Sequence, residues 1–334
     1  MQEYKIAVLG CGAIFNRHLS AIQNNAEYYK LIGIYDPKTE LQAEYAQSLG
    51  IKGYSCEDEL LNDFEVNCVA ILTPSNLHYT QAVQALNNKK NVILEKPATF
   101  LGSELKHLEQ LAIQNGVKIF GVLQVRLNPA VVIAKRAIDE GLLGNIRSVA
   151  LVQRWQRPLS YFTGWRGTMA SGGGILREFG IHYLDVLQYL VGAPKVSGAN
   201  FYNTKFIATD VSDTIYALFD FGKFGGSMEI SIACEPKNIE CSLLITSEQG
   251  YIKLGGKSLD EIAASEFLTE NITSKFAEIK QQVLNRQVAD LATQGASPYH
   301  PELYRQIVVN PERFALSAMY NVTDLVEKIY QFKN

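Results

Sequence analysis

Short apolar runs alternate with amphipathic stretches in the first third of the chain. The apolar runs cover residues 4–10, 30–36, 66–74, 90–97 and 116–125. Each has the length and composition of one buried strand in a parallel sheet. Between the first two runs, Phe15, Leu19 and Ile22 recur at helical spacing. Five such strands with intervening helices predict a doubly wound α/β sheet.

The pattern changes after about residue 125. Residues 128–146 predict one helix that ends at a glycine. Further on, residues 213–235 and 240–256 alternate apolar and polar positions around glycine turns, which is typical of antiparallel strands. We therefore expect two domains. Residues 1–125 form a Rossmann domain, and residues 126–334 form an α+β domain with a large, mostly antiparallel open sheet, which would bind substrate and mediate oligomerisation.

Composition narrows the class of protein. The 334 residues carry a formal net charge of −3, with a pI near 6.0, and neither sign of charge is massed anywhere. This argues against nucleic-acid and anionic-membrane binding. No apolar run reaches the ~18 residues of a membrane span, and no signal-like segment opens the chain, so we expect a cytoplasmic protein. The five cysteines are scattered without a CxxC pair, so we expect them to be reduced and expect no metal.

A glycine pair, Gly10 and Gly12, follows the first strand. Such a pair lets the backbone turn tightly toward a pyrophosphate, which then sits on the amides of the next helix. Phe15 stands where a third small residue is usual, and Asp36 ends the second strand, where it can accept hydrogen bonds from a ribose. We expect NAD rather than NADP, although Lys38 lies close by. Turn glycines with a surface aspartate are the alternative.

A charged pair, Glu95 and Lys96, follows the fourth apolar run. The segment 73–76 follows the third run in the same way. Because ligands bind at the carboxyl ends of strands in doubly wound sheets, both segments are expected to face a site. Without that context, Glu95 could equally be a surface partner of Lys96.

A second candidate lies in residues 171–192, where a glycine cluster leads into a predicted helix. Glu178, His182 and Asp185 fall at i, i+4 and i+7, so Glu178 and His182 share a face. A histidine one turn from a carboxylate is a candidate general base, because its ordinary pKa of ~6.5 lies near neutral pH. A core histidine satisfied by Glu178 is the alternative.

Four of these segments together resemble the Gfo/Idh/MocA oxidoreductases. They are the EKP tripeptide, TPSNLH at 73–78, GLLGNI at 141–146 and the glycine–histidine segment at 173–185. The resemblance implies an NAD(P)-dependent dehydrogenase acting on CH–OH, with Lys96 and His182 flanking the substrate hydroxyl. Either can take the proton while the other stabilises charge on oxygen. Glu178, also placed in the catalytic set, stands where many members have aspartate.

A narrower resemblance comes from residues 154–174 and 297–308. They are similar to the branch that oxidises UDP-N-acetylglucosaminuronic acid at the C3 hydroxyl for surface-polysaccharide biosynthesis, such as lipopolysaccharide O-antigen. Planar arginine side chains suit its carboxylate and phosphates. The branch also implies a homodimer or homotetramer formed through the open face of the second-domain sheet.

These inferences define two sets of site residues. The expected cofactor contacts are Gly10, Gly12, Ala13, Ile14, Phe15, Asp36, Lys38, Thr73, Pro74, Asn76, His78, Glu95, Lys96 and Gln124. The expected substrate contacts are Lys96, Arg126, Arg157, Tyr161, Arg166, Glu178, His182, His300, Tyr304 and Arg305. Two other functions stay open: a family member acting on a cyclitol, a free sugar or, with NADPH, a 3-ketosugar, and a dinucleotide sensor without catalysis.

Overall fold

A computed structural model describes residues 3–291 and 299–333, which divide into two compact units. The first unit contains the chain up to Leu123 together with residues 299–320, and the second contains the rest. The predicted domain boundary at 125 and 126 lies close to Leu123. The prediction misses the return of residues 299–320 to the first unit.

The first unit is built on a six-stranded parallel sheet in the order β3-β2-β1-β4-β5-β6. Its strands are β1 (Tyr4–Leu9), β2 (Tyr29–Tyr35), β3 (Lys52–Gly53), β4 (Cys68–Ile71), β5 (Asn91–Leu94) and β6 (Ile119–Gly121). Its helices up to Leu123 are α1 (Phe15–Gln23), α2 (Thr39–Leu49), α3 (Glu57–Asn62), α4 (His78–Asn87) and α5 (Gly102–Asn115). The doubly wound prediction is confirmed. Only β3 escaped it, because a two-residue strand leaves no apolar run.

The second unit is built on a seven-stranded sheet in the order β13-β12-β11-β7-β10-β9-β8, in which only the β7–β10 pair is parallel. Its strands are β7 (Ile146–Arg154), β8 (Lys195–Tyr202), β9 (Thr214–Asp220), β10 (Gly225–Ser231), β11 (Glu240–Ser247), β12 (Gly250–Gly255) and β13 (Glu261–Phe267). Its helices are α6 (Pro129–Asp139), α7 (Met169–Gly172), α8 (Ile181–Val191), α9 (Glu270–Leu291) and the C-terminal helix Tyr320–Tyr330. The predicted antiparallel open sheet is confirmed.

The returning segment of the first unit carries α10 (Tyr299–Val309), which packs on α1. The Asn25 side chain donates to the Pro301 carbonyl at 2.9 Å, and the Tyr29 hydroxyl donates to the Tyr304 carbonyl at 3.0 Å. Both bonds are buried, and a buried hydrogen bond is costly to leave unmade. This packing is the physical reason why the segment belongs to the first unit.

One face of the second-unit sheet forms the core of that unit. Along β9, Ile215, Ala217 and Phe219 are buried, whereas Tyr216 and Leu218 are exposed. This alternation is typical of a sheet covered on one side. In the part of the chain that the structure describes, no helix has both the length and the apolarity needed to cross a membrane.

Candidate active site

The glycine turn lies at the carboxyl end of β1. Gly10 has a φ of +94°, and a Cβ placed there would lie 3.0 Å from the backbone carbonyl of Leu72. Glycine is therefore required by both conformation and space. Gly12 and Ala13 are exposed, and Ile14 is half-buried. Phe15 opens α1 with a fully buried ring that meets Tyr45 edge-on at 4.6 Å, so a large residue fits where a third glycine is usual.

Asp36 follows β2 and ties two loops together. Its Oδ2 accepts the Cys11 amide at 2.7 Å, and its Oδ1 accepts the Lys38 amide at 2.8 Å. The carboxylate thus lies beside the glycine turn, as a ribose-binding aspartate requires. The Lys38 residue itself is exposed.

The loop after β4 lies at the same edge of the sheet. Thr73 and Pro74 are half-buried and Asn76 is exposed, so these three are accessible to a ligand. His78 is not. Its ring is 1% exposed and lies between two carbonyl oxygens, that of Pro97 at 2.7 Å and that of Thr73 at 2.9 Å. Burial lowers the pKa of His78. His78 thus links the loops after β4 and β5, and the cofactor contact expected of it stays a prediction.

Glu95 lies at the end of β5 in a buried group that the sequence did not reveal. We call His18, Glu95, His300 and Tyr304 the Glu95 cluster. His18 Nε2 lies 2.9 Å from Glu95 Oε1, and His18 Nδ1 lies 2.8 Å from the Tyr304 hydroxyl. Glu95 Oε2 accepts the backbone N–H of Lys96 at 2.9 Å. The next side chain after this buried carboxylate is the half-buried Lys96.

Burial and hydrogen bonding set the charges in the Glu95 cluster. Burial raises the pKa of Glu95, but the hydrogen bond from His18 and the nearby imidazole of His300, 3.8 Å away, more than offset this, so the pKa lies well below its ordinary value. Burial lowers the pKa of His300, and it raises that of Tyr304 well above the ordinary value. The cluster therefore holds an ionised carboxylate in the interior of the first unit.

His300 and Tyr304, for which substrate contacts were predicted, lie inside the first unit. Their exposures are 1% and 0%. Arg305, on the same helix, forms a bidentate pair with Glu302, with both distances 2.7 Å. Residues 297 and 298 of the predicted segment lie outside the described residues. One signal of the cluster was available: His18 interrupts the apolar stripe of α1 between Phe15 and Ile22.

In the second unit, the segment 154–166 lies between β7 and α7. We call it the arginine segment. Glu178 Oε1 accepts the Tyr161 hydroxyl at 2.7 Å and lies 3.3 Å from Arg166 Nε. Burial and Glu178 together raise the pKa of Tyr161. The Arg166 guanidinium also stacks on the Trp165 ring, 4.4 Å from its centre. Glu178 thus holds two of the predicted substrate contacts in place.

Arg154 and Arg157 differ sharply. Arg154 is bound to Glu229 at 2.6 and 2.7 Å and to Glu240 at 3.1 Å, so it belongs to the sheet. Arg157 lies over three aromatic rings, those of Trp155, Phe179 and Tyr161, at 4.7, 4.9 and 5.6 Å.

Arg157 is not in a salt bridge with any residue that the structure describes, although Glu178 lies near enough to oppose the lowering of its pKa by burial. Its Nη1 donates to the Gln156 carbonyl at 2.7 Å, and among the described residues it forms no salt bridge with a carboxylate. Burial lowers its pKa. A cation that is partly removed from water and forms no salt bridge is an arrangement that favours an anionic ligand.

His182 is half-buried near the start of α8. The turn before it, Leu176–Gly180, is a π-helix, so the residue spacing predicted from a continuous α-helix is wrong here. Gly172 lets α7 approach the arginine segment, because a Cβ there would lie 2.8 Å from Arg166 Cα.

Two predicted contacts lie at the start of the second unit. Arg126 forms a bidentate ion pair with Asp185 at 2.6 and 2.8 Å, with its side chain 12% exposed. Burial raises the pKa of Asp185, and Arg126 opposes this effect. Arg126 therefore anchors α8 through Asp185, and the substrate contact expected of it stays a prediction. Gln124 is buried, and its Oε1 has no hydrogen-bond partner among residues 3–291 and 299–333.

The chain matches two family models. Residues 4–122 match the oxidoreductase family with the NAD-binding Rossmann fold, and residues 131–253 match the Gfo/Idh/MocA C-terminal domain. Together these cover more than half of the chain, which therefore belongs to the Gfo/Idh/MocA oxidoreductase family. The family resemblance of the sequence is confirmed.

Three relatives make the comparison specific. The WlbA dehydrogenase of Bordetella pertussis, solved with NADH and UDP-GlcNAcA, is 25% identical with a TM-score of 0.87, covering 99% of this chain and 95% of that one. The Chromobacterium violaceum WlbA complex is 25% identical with a TM-score of 0.86, covering 99% and 94%. The NAD-dependent scyllo-inositol 2-dehydrogenase of Bacillus subtilis is 31% identical over 67% of this chain. The chain spans 66% of that relative and 52% of a second curated one.

The first unit fits the cofactor of its family. The positive φ of Gly10, the exposed Gly12 and the Asp36 carboxylate beside the turn are the features that a bound NAD requires. The expectation of an NAD-dependent oxidoreductase is confirmed at the level of the family.

Proposed function

We propose that this protein oxidises the C3 hydroxyl of a UDP-linked sugar acid of the UDP-N-acetylglucosaminuronic acid type to the 3-keto sugar, with NAD as acceptor. The observation that carries the proposal is Arg157. Its half-buried guanidinium has no salt-bridge partner among the described residues, and an anionic substrate would supply one. The similarity to two WlbA dehydrogenases over 99% of the chain supports the same substrate class.

The proposed roles follow from the chemistry of the reaction. NAD, which Gly10, Gly12 and Asp36 would hold, would supply the hydride acceptor for the carbinol carbon. Lys96 and His182 share the work at the hydroxyl: one takes the proton and the other stabilises the negative charge on oxygen. In the second unit, Arg157 and Arg166 bind the anionic groups, and Glu178 orients Arg166 and Tyr161.

A second candidate is the oxidation of a cyclitol. It is favoured by the 31% identity with scyllo-inositol 2-dehydrogenase. NADH formation should therefore be measured with UDP-N-acetylglucosaminuronic acid, UDP-N-acetylglucosamine and scyllo-inositol. The proposal requires the sugar acid to give the highest kcat/KM. Equal kcat/KM for the two UDP-sugars would show that the protein does not recognise the carboxylate. Activity with scyllo-inositol alone would establish the second candidate.

We also propose that the chain forms a homodimer or homotetramer through the outer face of the second-unit sheet. That face carries the exposed side chains Tyr202, Tyr216 and Leu218, at 49%, 42% and 60% exposure. Exposed apolar patches of this kind are common at subunit interfaces. Light scattering measures the mass of the protein in solution. If this face is the interface, Leu218→Glu, which places a charge there, should lower that mass.

A further inference from the structure

The Glu95 cluster joins two parts of the chain that lie far apart in sequence. His18 lies on α1, Glu95 follows β5, and His300 and Tyr304 lie on α10. All four side chains are at least nine-tenths buried. The only backbone amide that the Glu95 carboxylate accepts among the described residues is that of Lys96, at 2.9 Å. The cluster therefore reaches the backbone of the residue to which the proposed function gives a catalytic role.

The direction of the hydrogen bonds follows from the charge of Glu95. An ionised carboxylate only accepts hydrogen bonds, so the proton between it and His18 is on Nε2. In the neutral form of the imidazole, Nδ1 is then unprotonated and can accept from the Tyr304 hydroxyl, 2.8 Å away. Each polar atom in this chain of bonds is thereby satisfied. In the other neutral tautomer, with the proton on Nδ1, the unprotonated Nε2 would face the carboxylate and no hydrogen bond would form between them.

We propose that Tyr304 is a positioning residue for the reaction. By donating to His18 Nδ1, its hydroxyl selects the tautomer that donates to Glu95, and Glu95 in turn fixes the backbone at Lys96. This inference rests on the proposed role of Lys96. The arrangement resembles the way in which outer hydrogen bonds orient a functional imidazole.

Tyr304→Phe tests the proposal, with Tyr29→Phe as the matched control. Both side chains are buried, both hydroxyls form a buried hydrogen bond, and the rings pack edge-on at 5.0 Å. The Tyr29 hydroxyl, however, donates to the Tyr304 carbonyl and not to His18. Tyr304→Phe should lower kcat at least ~10-fold with little change in KM, since small misplacement of a reacting group has large effects. Tyr29→Phe should cause a similar fall in Tm with near-normal kcat. Equal kcat in the two variants would overturn the proposal.

Nitrogen-15 NMR of labelled histidine gives a readout that does not depend on the substrate. The His18 signal, assigned by its loss in His18→Gln, should show the Nε2–H tautomer in the wild type and a changed Nδ1 shift in Tyr304→Phe. A protonated Nδ1 in the wild type would overturn the proposal. Turnover is measured with whichever substrate of the panel is fastest, so failure with the sugar acid refutes the proposed function alone.

Metal analysis provides the other decisive outcome. One ligand atom from each of His18, Glu95 and His300 lies within 4.8 Å of the others, a donor set that zinc accepts. We expect no stoichiometric metal in the purified protein. A bound metal that is lost in His300→Gln would show that these side chains bind an ion and would overturn the tautomer assignment.

Discussion

The Glu95 cluster and the arginine segment use charge in opposite ways. In the Glu95 cluster, the buried carboxylate accepts hydrogen bonds from His18 and from the Lys96 amide of the same unit. In the arginine segment, the half-buried Arg157 guanidinium packs on aromatic rings and forms no salt bridge with a carboxylate of the described residues. Buried polar groups with internal hydrogen-bond partners make a fold rigid, whereas a partly buried charge without a salt bridge favours binding of an oppositely charged ligand. The comparison distinguishes charges that support the site from charges that recognise a substrate.

The largest effect is expected at the proposed catalytic pair. Lys96→Met and His182→Asn should each lower kcat by at least ~100-fold, the usual scale for losing acid–base or oxyanion assistance. NAD binding, measured by calorimetry, should stay near normal in both. Near-normal turnover in either variant would remove that residue from the mechanism. Glu178→Gln should do less harm, because Glu178 acts through Tyr161 and Arg166.

Arg157→Ala tests the recognising side of the comparison. It should lower kcat/KM for the sugar acid by about 2–3 kcal/mol, the loss of one charged contact, and should lower that for an uncharged analogue less. Arg154→Ala is the matched control. Its guanidinium is held by Glu229 and Glu240, so it should affect Tm rather than selectivity. Equal selectivity losses in both variants would contradict the distinction drawn between the two arginines.

Asp36 gives a smaller effect at the cofactor. Its carboxylate should repel the extra phosphate of NADP and accept hydrogen bonds from the ribose of NAD. Asp36→Asn should therefore lower NAD affinity about tenfold, as expected for a charge-assisted hydrogen bond, and narrow the preference over NADP. Fluorescence titration with both reduced cofactors measures this. Stronger binding of NADPH than NADH by the wild type would direct attention to Lys38.

The smallest effect is on the pH dependence of stability. The folded pKa of Glu95 lies below its unfolded value, so the unfolded state takes up the proton first as the pH falls. The stability that the ionised Glu95 contributes is fully present above the unfolded pKa of ~4.3 and is lost as the pH falls toward the folded pKa. Urea unfolding of wild type and Glu95→Gln should therefore give free energies of unfolding that converge in acid. A difference that stays constant as the pH is lowered well below ~4.3 would mean that Glu95 is not ionised in the fold.

The sequence was informative where periodicity carries the signal. Buried parallel strands such as β4 and β5 appear as apolar runs, and the residues that follow them, 73–76 and 95–96, lie at the predicted edge. The two-residue β3 is too short to leave such a run. The π turn at 176–180 was not predictable either, because a π turn differs from an α turn by one hydrogen bond and not by composition.

The roles of the arginines and histidines were harder to predict because they depend on partners distant in sequence. Arg154 meets Glu229, which lies 75 residues away, and His18 meets Tyr304, which lies 286 residues away. Spacing along the chain cannot show which of several arginines is already paired. Nothing in the sequence indicated that His78, His300 and Tyr304 are buried, because burial depends on packing between segments far apart in the chain.

The return of residues 299–320 to the first unit bears on how the protein is made. A ribosome extends a chain at about 5–20 residues per second, so the 286 residues between His18 and Tyr304 take roughly 15–60 s to synthesise. During that interval the nascent chain has the loops after β4 and β5 but neither His300 nor Tyr304. A nascent chain that ends at Leu123 therefore still exposes the surface of α1 on which α10 packs. Synthesis of the first unit therefore begins before that of the second unit and is complete only after residue 320.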